Sequence, residues 1–161
     1  MVPLINAVSL GPAEEADAEA FATLRVLAMR ESLERIGRFD PVRARERFLS
    51  GFSPSHTRHI LVGDERAGFV VVKDEGGSML LDHLYIDPRF QNRGIGAAVL
   101  QSVFAEADSR RLPLRVGALR GSDSNRFYLR HGFRLVKEDE WDIYYVRPAS
   151  TNRGGPASAL V

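Results

Sequence analysis

Cysteine is absent from the 161-residue sequence. That absence removes disulfides, thiolate zinc sites, iron–sulfur ligation and a thiol nucleophile, so any group transfer must run without an acyl-cysteine intermediate. Charge of one sign is lacking too: Lys and Arg number 22 against 21 Asp and Glu, a net charge of +1. No global field exists to gather nucleic acid or an anionic membrane, and neither is expected as a partner. No apolar run approaches the ~18 residues of a membrane span. The opening residues Met1 to Asn6 have neither the basic nor the apolar region of a signal peptide, so the expected location is cytoplasmic.

What is present is ordinary for a compact domain, with 44% hydrophobic and 27% charged residues. A single domain is expected over residues 1–148, large enough to bury a core without staples. The tail 149–161, rich in Ala, Ser and Gly, has no apolar period and is expected to be disordered.

Hydrophobic period and breakers set the element order. Ile5 to Leu10 reads as an opening strand, ended by Gly11-Pro12. Phe21, Leu24, Ala28 and Leu33 form a helical stripe running to about Ile36, where Gly37 stops it. Asp40-Pro41 pairs an N-cap with a proline at the first helical position, predicting a second helix over Val42 to Phe48. The arginines scattered through these helices, with Glu31, Glu34 and Glu46 among them, read as a solvated face. Three strands follow, ending at Val62, Val72 and Ile86, with turn residues between them. Ile95, Val99 and Val103 with Leu100, Phe104 and Ala107 predict a third helix. Leu114 to Leu119 is a strand, Asn125 to Arg130 a fourth helix, and Phe133–Val136 with Trp141–Val146 a closing strand pair. The order implies α/β or α+β architecture: a central, mostly antiparallel mixed sheet of about seven strands with four helices.

The turn after the third meander strand carries the clearest chemistry. It reads Asp87-Pro88-Arg89-Phe90-Gln91-Asn92-Arg93 and then Gly94-Ile95-Gly96, opening the third helix. The first turn of a helix offers unpaired N–H groups and the positive end of its dipole, and glycine lets phosphate oxygens approach the backbone. A Gly-x-Gly alone could equally be a close-packed turn. A Rossmann turn would be tighter, would have a third small residue where Val99 stands and would sit in a parallel unit. A Walker A loop would need Gly-Lys-Ser/Thr, which does not occur.

Gln91-Asn92-Arg93-Gly94-Ile95-Gly96 resembles motif A of the GNAT superfamily of N-acetyltransferases, Gln/Arg-x-x-Gly-x-Gly/Ala between a strand and a long helix. Asn125-Arg126-Phe127-Tyr128 with Gly132-Phe133 resembles its motif B. The resemblance covers roughly residues 1–147 and implies a GNAT fold acting on acetyl-CoA without a metal. It also implies that backbone groups of Leu84 and Ile86 hold the pantetheine arm. Gln91, Asn92, Arg93, Gly94, Ile95, Gly96 and Ala97 would bind the pyrophosphate, Asn125 would bond the cofactor arm, and Tyr128 would lie near its sulfur.

Direct acyl transfer needs a neutral amine, a polarised thioester and a proton for the departing thiolate. Tyr128 is the acid candidate, since a phenol of pKa ~10 can serve a thiol of pKa ~8.5. Asp82, on the strand that would hold the cofactor, is the base candidate. Many relatives place a Glu two positions earlier, where this chain has Leu80, a position of the same strand parity as Asp82. His83 is the rival base, on the opposite face of a regular strand.

The acceptor is expected to be a primary amine of a small molecule, peptide or protein. Arg30 and Arg35 suit an acceptor carboxylate, Glu140 and Asp142 a cationic amine, and the sequence does not choose. Two other readings stay open: an acyl-CoA-binding regulatory module without effective catalysis, and a nucleotide-binding domain of another fold. The resemblance also makes a homodimer possible, with Trp141, Tyr144 and Tyr145 of the last hairpin either supplying its apolar interface or packing in the core.

Overall fold

A computed structural model describes residues 8–150. Among them are seven strands, ordered β1-β2-β3-β4-β5-β7-β6, and four α-helices. These are β1 (Val8–Pro12), α1 (Ala18–Arg35), α2 (Pro41–Gly51), β2 (Thr57–Val62), β3 (Glu65–Asp74), β4 (Met79–Ile86), α3 (Ile95–Ser109), β5 (Leu114–Leu119), α4 (Ser124–Arg130), β6 (Arg134–Glu138) and β7 (Asp142–Arg147). β4 and β5 pair in parallel, whereas β1–β2, β2–β3, β5–β7 and β6–β7 pair antiparallel. The sheet is therefore mixed, as the element order implied.

The chain divides into two compact units. The first takes the described residues of Met1–Val72 with Asp82–Leu100. The second takes Lys73–Leu81 with the described residues of Gln101–Val161.

In the first unit, α2 starts where the sequence says it must. Asp40 accepts a hydrogen bond from the Arg43 N–H at 3.1 Å, and Pro41 occupies a position that needs no donor. One helical turn apart, Ala44 and Phe48 are the residues α2 buries. Phe48 meets Phe21 and Ala22 of α1 and Phe69 and Val71 of β3 in a largely aromatic core, where the Phe21 and Phe69 rings stack at 4.5 Å. His59 of β2 lies under Phe21 and is almost fully buried. Its Nε2 meets Asp17 Oδ2 at 2.9 Å.

Asp17 closes the turn of 3-10 helix that precedes α1, and its carboxylate also accepts the Glu14 N–H at 2.8 Å. Burial alone would raise its pKa. The Glu14 N–H, the His59 ring and the Arg66 guanidinium outweigh that and hold the carboxyl below its usual range.

Strand β1 departs from expectation. Residues 5–7 of the predicted strand lie outside the described residues, and the strand does not stop at Gly11-Pro12. It runs through both, with Gly11 opposite His59 and Pro12 opposite Arg58. β1 is an edge strand, so a proline at its last position sacrifices no ladder bond to a further neighbour. The predicted tail falls mostly on 151–161, also outside the described residues.

In the second unit, β5 alternates buried and exposed residues, with Leu114, Val116 and Ala118 turned inward. Phe104 of α3, Tyr128 of α4, Phe133 and Tyr145 of β7 are buried with them. Phe133 bridges two of these, 5.7 Å from Phe104 and 5.2 Å from Tyr128. Arg147 lies over the Phe104 ring at 4.1 Å and grips both carboxylate oxygens of Asp108, at 2.9 and 3.1 Å.

Candidate functional site

The site elements of the first unit are the end of β4 and the loop into α3. Two features fix where this loop begins. The register of β2 against β3 slips so that Ile60 faces Gly68 and Leu61 faces Arg66, leaving Ala67 as an extra residue. The Ala67 carbonyl accepts the Asp87 N–H at 2.8 Å, just past the end of β4. Beside it, β3 and β4 run so close that a Cβ on Gly68 would come within 2.1 Å of the Tyr85 carbonyl oxygen. Only glycine fits there.

The loop then folds on itself. Asp87 accepts the Arg89 N–H at 2.9 Å and pairs with its guanidinium at 3.2 Å, which holds the carboxyl below the usual range. Pro88–Phe90 makes a turn of 3-10 helix with Phe90 buried, and the Arg93 guanidinium lies 5.4 Å from the centre of that ring. Gln91 reaches back to donate from Nε2 to the Ile86 carbonyl at 2.9 Å.

Asn92 and Gly94 both adopt left-handed backbone, at φ 64° and 79°. Asparagine and glycine are the residues that tolerate this region best. Gly94 then supplies the carbonyl for the first helical bond, from the Ala98 N–H at 3.1 Å. By helix geometry the N–H groups of Ile95, Gly96 and Ala97 precede any intrahelical acceptor and carry the positive end of the α3 dipole. A Cβ built on Gly94 meets nothing within 4 Å. The backbone there borders open space, as a phosphate cradle requires. Gln91 to Gly94 are exposed, Ile95 is buried and anchors the helix, and Gly96 and Ala97 are half-buried.

On β4, Leu84 and Ile86 are half-buried and Asp82 is exposed. The two base candidates lie close together, with His83 Nε2 3.8 Å from Asp82 Oδ2. His83 packs edge-on against Phe48 of α2 at 5.3 Å and lies 5.7 Å from Tyr85, so its ring belongs to the aromatic core face. Tyr85 packs against Phe69 at 5.6 Å, and burial pushes its hydroxyl above the usual tyrosine range although Arg25 favours the ionised form. Asp82 adds to the upward push, which places its charge within electrostatic reach of Tyr85.

The remaining predicted residues belong to the second unit. Asn125, at the start of α4, donates from Nδ2 to the carbonyls of Leu119 and Ser122, at 2.9 and 3.0 Å. Its Oδ1 accepts the Tyr145 hydroxyl at 2.7 Å. The side chain thus ties β5, the β5–α4 turn and β7 together, with one Oδ1 lone pair as its spare capacity. Tyr128 is buried, its ring centre 5.2 Å from Phe133 and 6.4 Å from Tyr145.

Of the acceptor residues, Arg30 pairs with Glu34 at 3.0 Å and lies over Phe39, and Arg35 pairs with Glu31 at 3.8 Å. Both behave as the solvated helix face the sequence suggested. Arg25 of α1, which the sequence put on the same solvated face, is instead half-buried and donates to the Ala44 carbonyl at 3.0 Å. Nothing in its local pattern separates it from its neighbours.

The family described as Acetyltransferase (GNAT) domain matches residues 56–135, a span that holds β4, the loop, α3 and α4. The chain belongs to the GNAT superfamily. Among solved structures, an acetyltransferase from Thermus thermophilus superposes with a TM-score of 0.69 at 22% identity, covering 88% of this chain and 97% of that one. The PaiA N-acetyltransferase from Thermoplasma acidophilum, in complex with coenzyme A, gives 0.72 at 14% identity, covering 88% and 98%. A GNAT family acetyltransferase from Elizabethkingia anophelis with acetyl-CoA bound gives 0.61 at 18% identity, covering 89% and 99%. No curated protein matches the chain significantly in sequence.

Proposed function

We propose that the chain is an N-acetyltransferase that moves the acetyl group of acetyl-CoA directly to a primary amine. The observation that carries this is the loop from Gln91 to Ala97. Its left-handed Asn92 and Gly94, its amide tether to Ile86 and its open Gly94 face support a reading in which the loop and the free N–H groups at the start of α3 hold an anion. In this reading Gln91, Asn92, Arg93, Gly94, Ile95, Gly96 and Ala97 hold the pyrophosphate, and the Leu84 and Ile86 backbones pair with the pantetheine arm. Asn125 offers its spare Oδ1 lone pair to that arm.

The amine nitrogen attacks the thioester carbonyl carbon, the carbon–sulfur bond breaks, and the sulfur leaves as a thiolate. Asp82 takes the amine proton and Tyr128 supplies one to the thiolate. The chain has no cysteine to form an acyl-cysteine intermediate, and in direct transfer donor and acceptor are bound together. The same reading makes residues 1–148 one acetyltransferase domain, working in the cytoplasm, with a homodimer formed through the β6–β7 hairpin.

Calorimetry with acetyl-CoA, followed by a thiol-release assay over amine classes, tests it. Wild type is expected to bind, Gly94→Trp to lose binding, and Tyr128→Phe to bind normally but turn over about 100-fold more slowly. Binding without turnover of any amine would instead favour a regulatory acyl-CoA-binding module, the reading that Leu80 in the usual base position supports. Failure of wild type to bind acetyl-CoA would overturn both.

A further inference from the structure

Arg25 has an arrangement that the fold alone does not explain. It rises from α1 into the space where α2 and β4 meet the aromatic core, and it is half-buried. Its Nη1 donates to the Ala44 carbonyl at 3.0 Å, and its charge acts on the Tyr85 hydroxyl. Its Nε is buried and has no hydrogen-bond partner among the described residues. No carboxylate among them forms an ion pair with it, whereas Arg30, Arg45, Arg66 and Arg89 of the same unit each have one. A guanidinium offers five N–H donors, and a carbonyl and a phenol leave it both under-satisfied and electrically unbalanced.

A partly desolvated cation without a counter-ion is expected to take one from a ligand, and a planar carboxylate matches its fork. Asp82, three residues before Tyr85 on β4, acts on the same hydroxyl, so Tyr85 lies in the fields of both a positive and a negative group. A zwitterion complements that pair, with its ammonium toward Asp82 and its carboxylate toward Arg25.

We infer that the acceptor is a small amino-acid-type molecule, bearing an amine and a carboxylate, whose carboxylate is held by Arg25. The inference rests on the acetyltransferase reading and narrows its acceptor. It sets aside protein lysine side chains, which bring no carboxylate at a fixed distance from the amine. Arg25 acts as a binding residue, so its loss raises KM far more than it lowers kcat.

The test uses the full chain with acetyl-CoA and a panel of free amino acids, each matched with its carboxamide, by thiol release. The carboxamides have less basic and more readily deprotonated amines, so intrinsic reactivity favours them and works against the inference. The expected result is a kcat/KM at least tenfold higher for the free acids. The preference should fall below twofold in Arg25→Gln through KM, recover in part in Arg25→Lys, and leave acetyl-CoA affinity by calorimetry unchanged in both. Carboxamides used as well as acids, turnover of neither series with acetyl-CoA still bound, or a preference that survives Arg25→Gln would overturn it while leaving the acetyltransferase reading standing. Absence of acetyl-CoA binding by wild type would instead remove the reading beneath it. Should thermal unfolding show that Arg25→Gln does not fold, the wild-type panel decides alone.

Discussion

Gln91 donates its side-chain amide to the Ile86 carbonyl at 2.9 Å, so the residue that opens the glycine turn is fastened to the last residue of β4. A neutral, solvent-accessible hydrogen bond of this kind contributes ~1 kcal/mol. Gln91→Ala is expected to weaken acetyl-CoA binding about 3- to 10-fold by calorimetry, with the unfolding midpoint nearly unchanged. A large loss of stability with normal affinity would show that the tether serves the fold and not the ligand.

Gly68 makes the opposite prediction. A methyl group there would meet the Tyr85 carbonyl oxygen at 2.1 Å, and backbone cannot swing aside as a flexible side chain can. Gly68→Ala should cost ~3 kcal/mol or more in chemical denaturation. Gly94→Ala has open space, and its cost is the left-handed backbone, ~1 kcal/mol.

Asp108 and Arg147 form a bidentate pair whose side chains are only 9% and 17% exposed. Removing one partner leaves a buried charge uncompensated, so Asp108→Ala should destabilise by ~3 kcal/mol or more. The Ser150 N–H, which also donates to Asp108 at 2.8 Å, would be released with it. Hydrogen exchange at the Ser150 amide reports that release.

Acid stability follows from Asp17. Its folded pKa lies below the unfolded value of ~3.9, so the stabilisation it gives is fully present above that value and is lost as pH falls through the folded pKa. Wild type should therefore exceed Asp17→Asn by ~1 kcal/mol at pH 6, with the gap closing below pH ~4. A gap that is constant from pH 6 to pH 3 would mean that the Asp17 charge carries no stability.

The glycine turn was legible because the residues that shape the turn itself are consecutive: the end of a strand, a capped turn and two glycines. Its anchor to Ala67 of β3 lies outside that stretch and was not legible. α2 was legible for the same reason, from Asp40-Pro41 alone. β1 was not. Whether Gly11-Pro12 breaks a strand depends on which edge of the sheet it occupies, and that is decided by pairing with β2, some fifty residues away. Arg25 was hidden for a related reason, since a helical arginine among glutamates reads as solvated until its partners are known.

The bond from Asp87 to Ala67 bears on how this protein tolerates change. It is made entirely of backbone atoms, an amide at the mouth of the anion loop and a carbonyl that the bulge in β3 turns toward it. Side-chain substitution leaves those backbone atoms in place, although Ala67 is fully buried and the Asp87 carboxylate also caps the Arg89 N–H, so small side chains at 67 and capping ones at 87 keep the loop where it is. What the anchor cannot absorb is a change of length. Deleting one residue from β3 at the bulge would restore an even register, turn the carbonyl away and move the loop, with every residue that reads as functional still present.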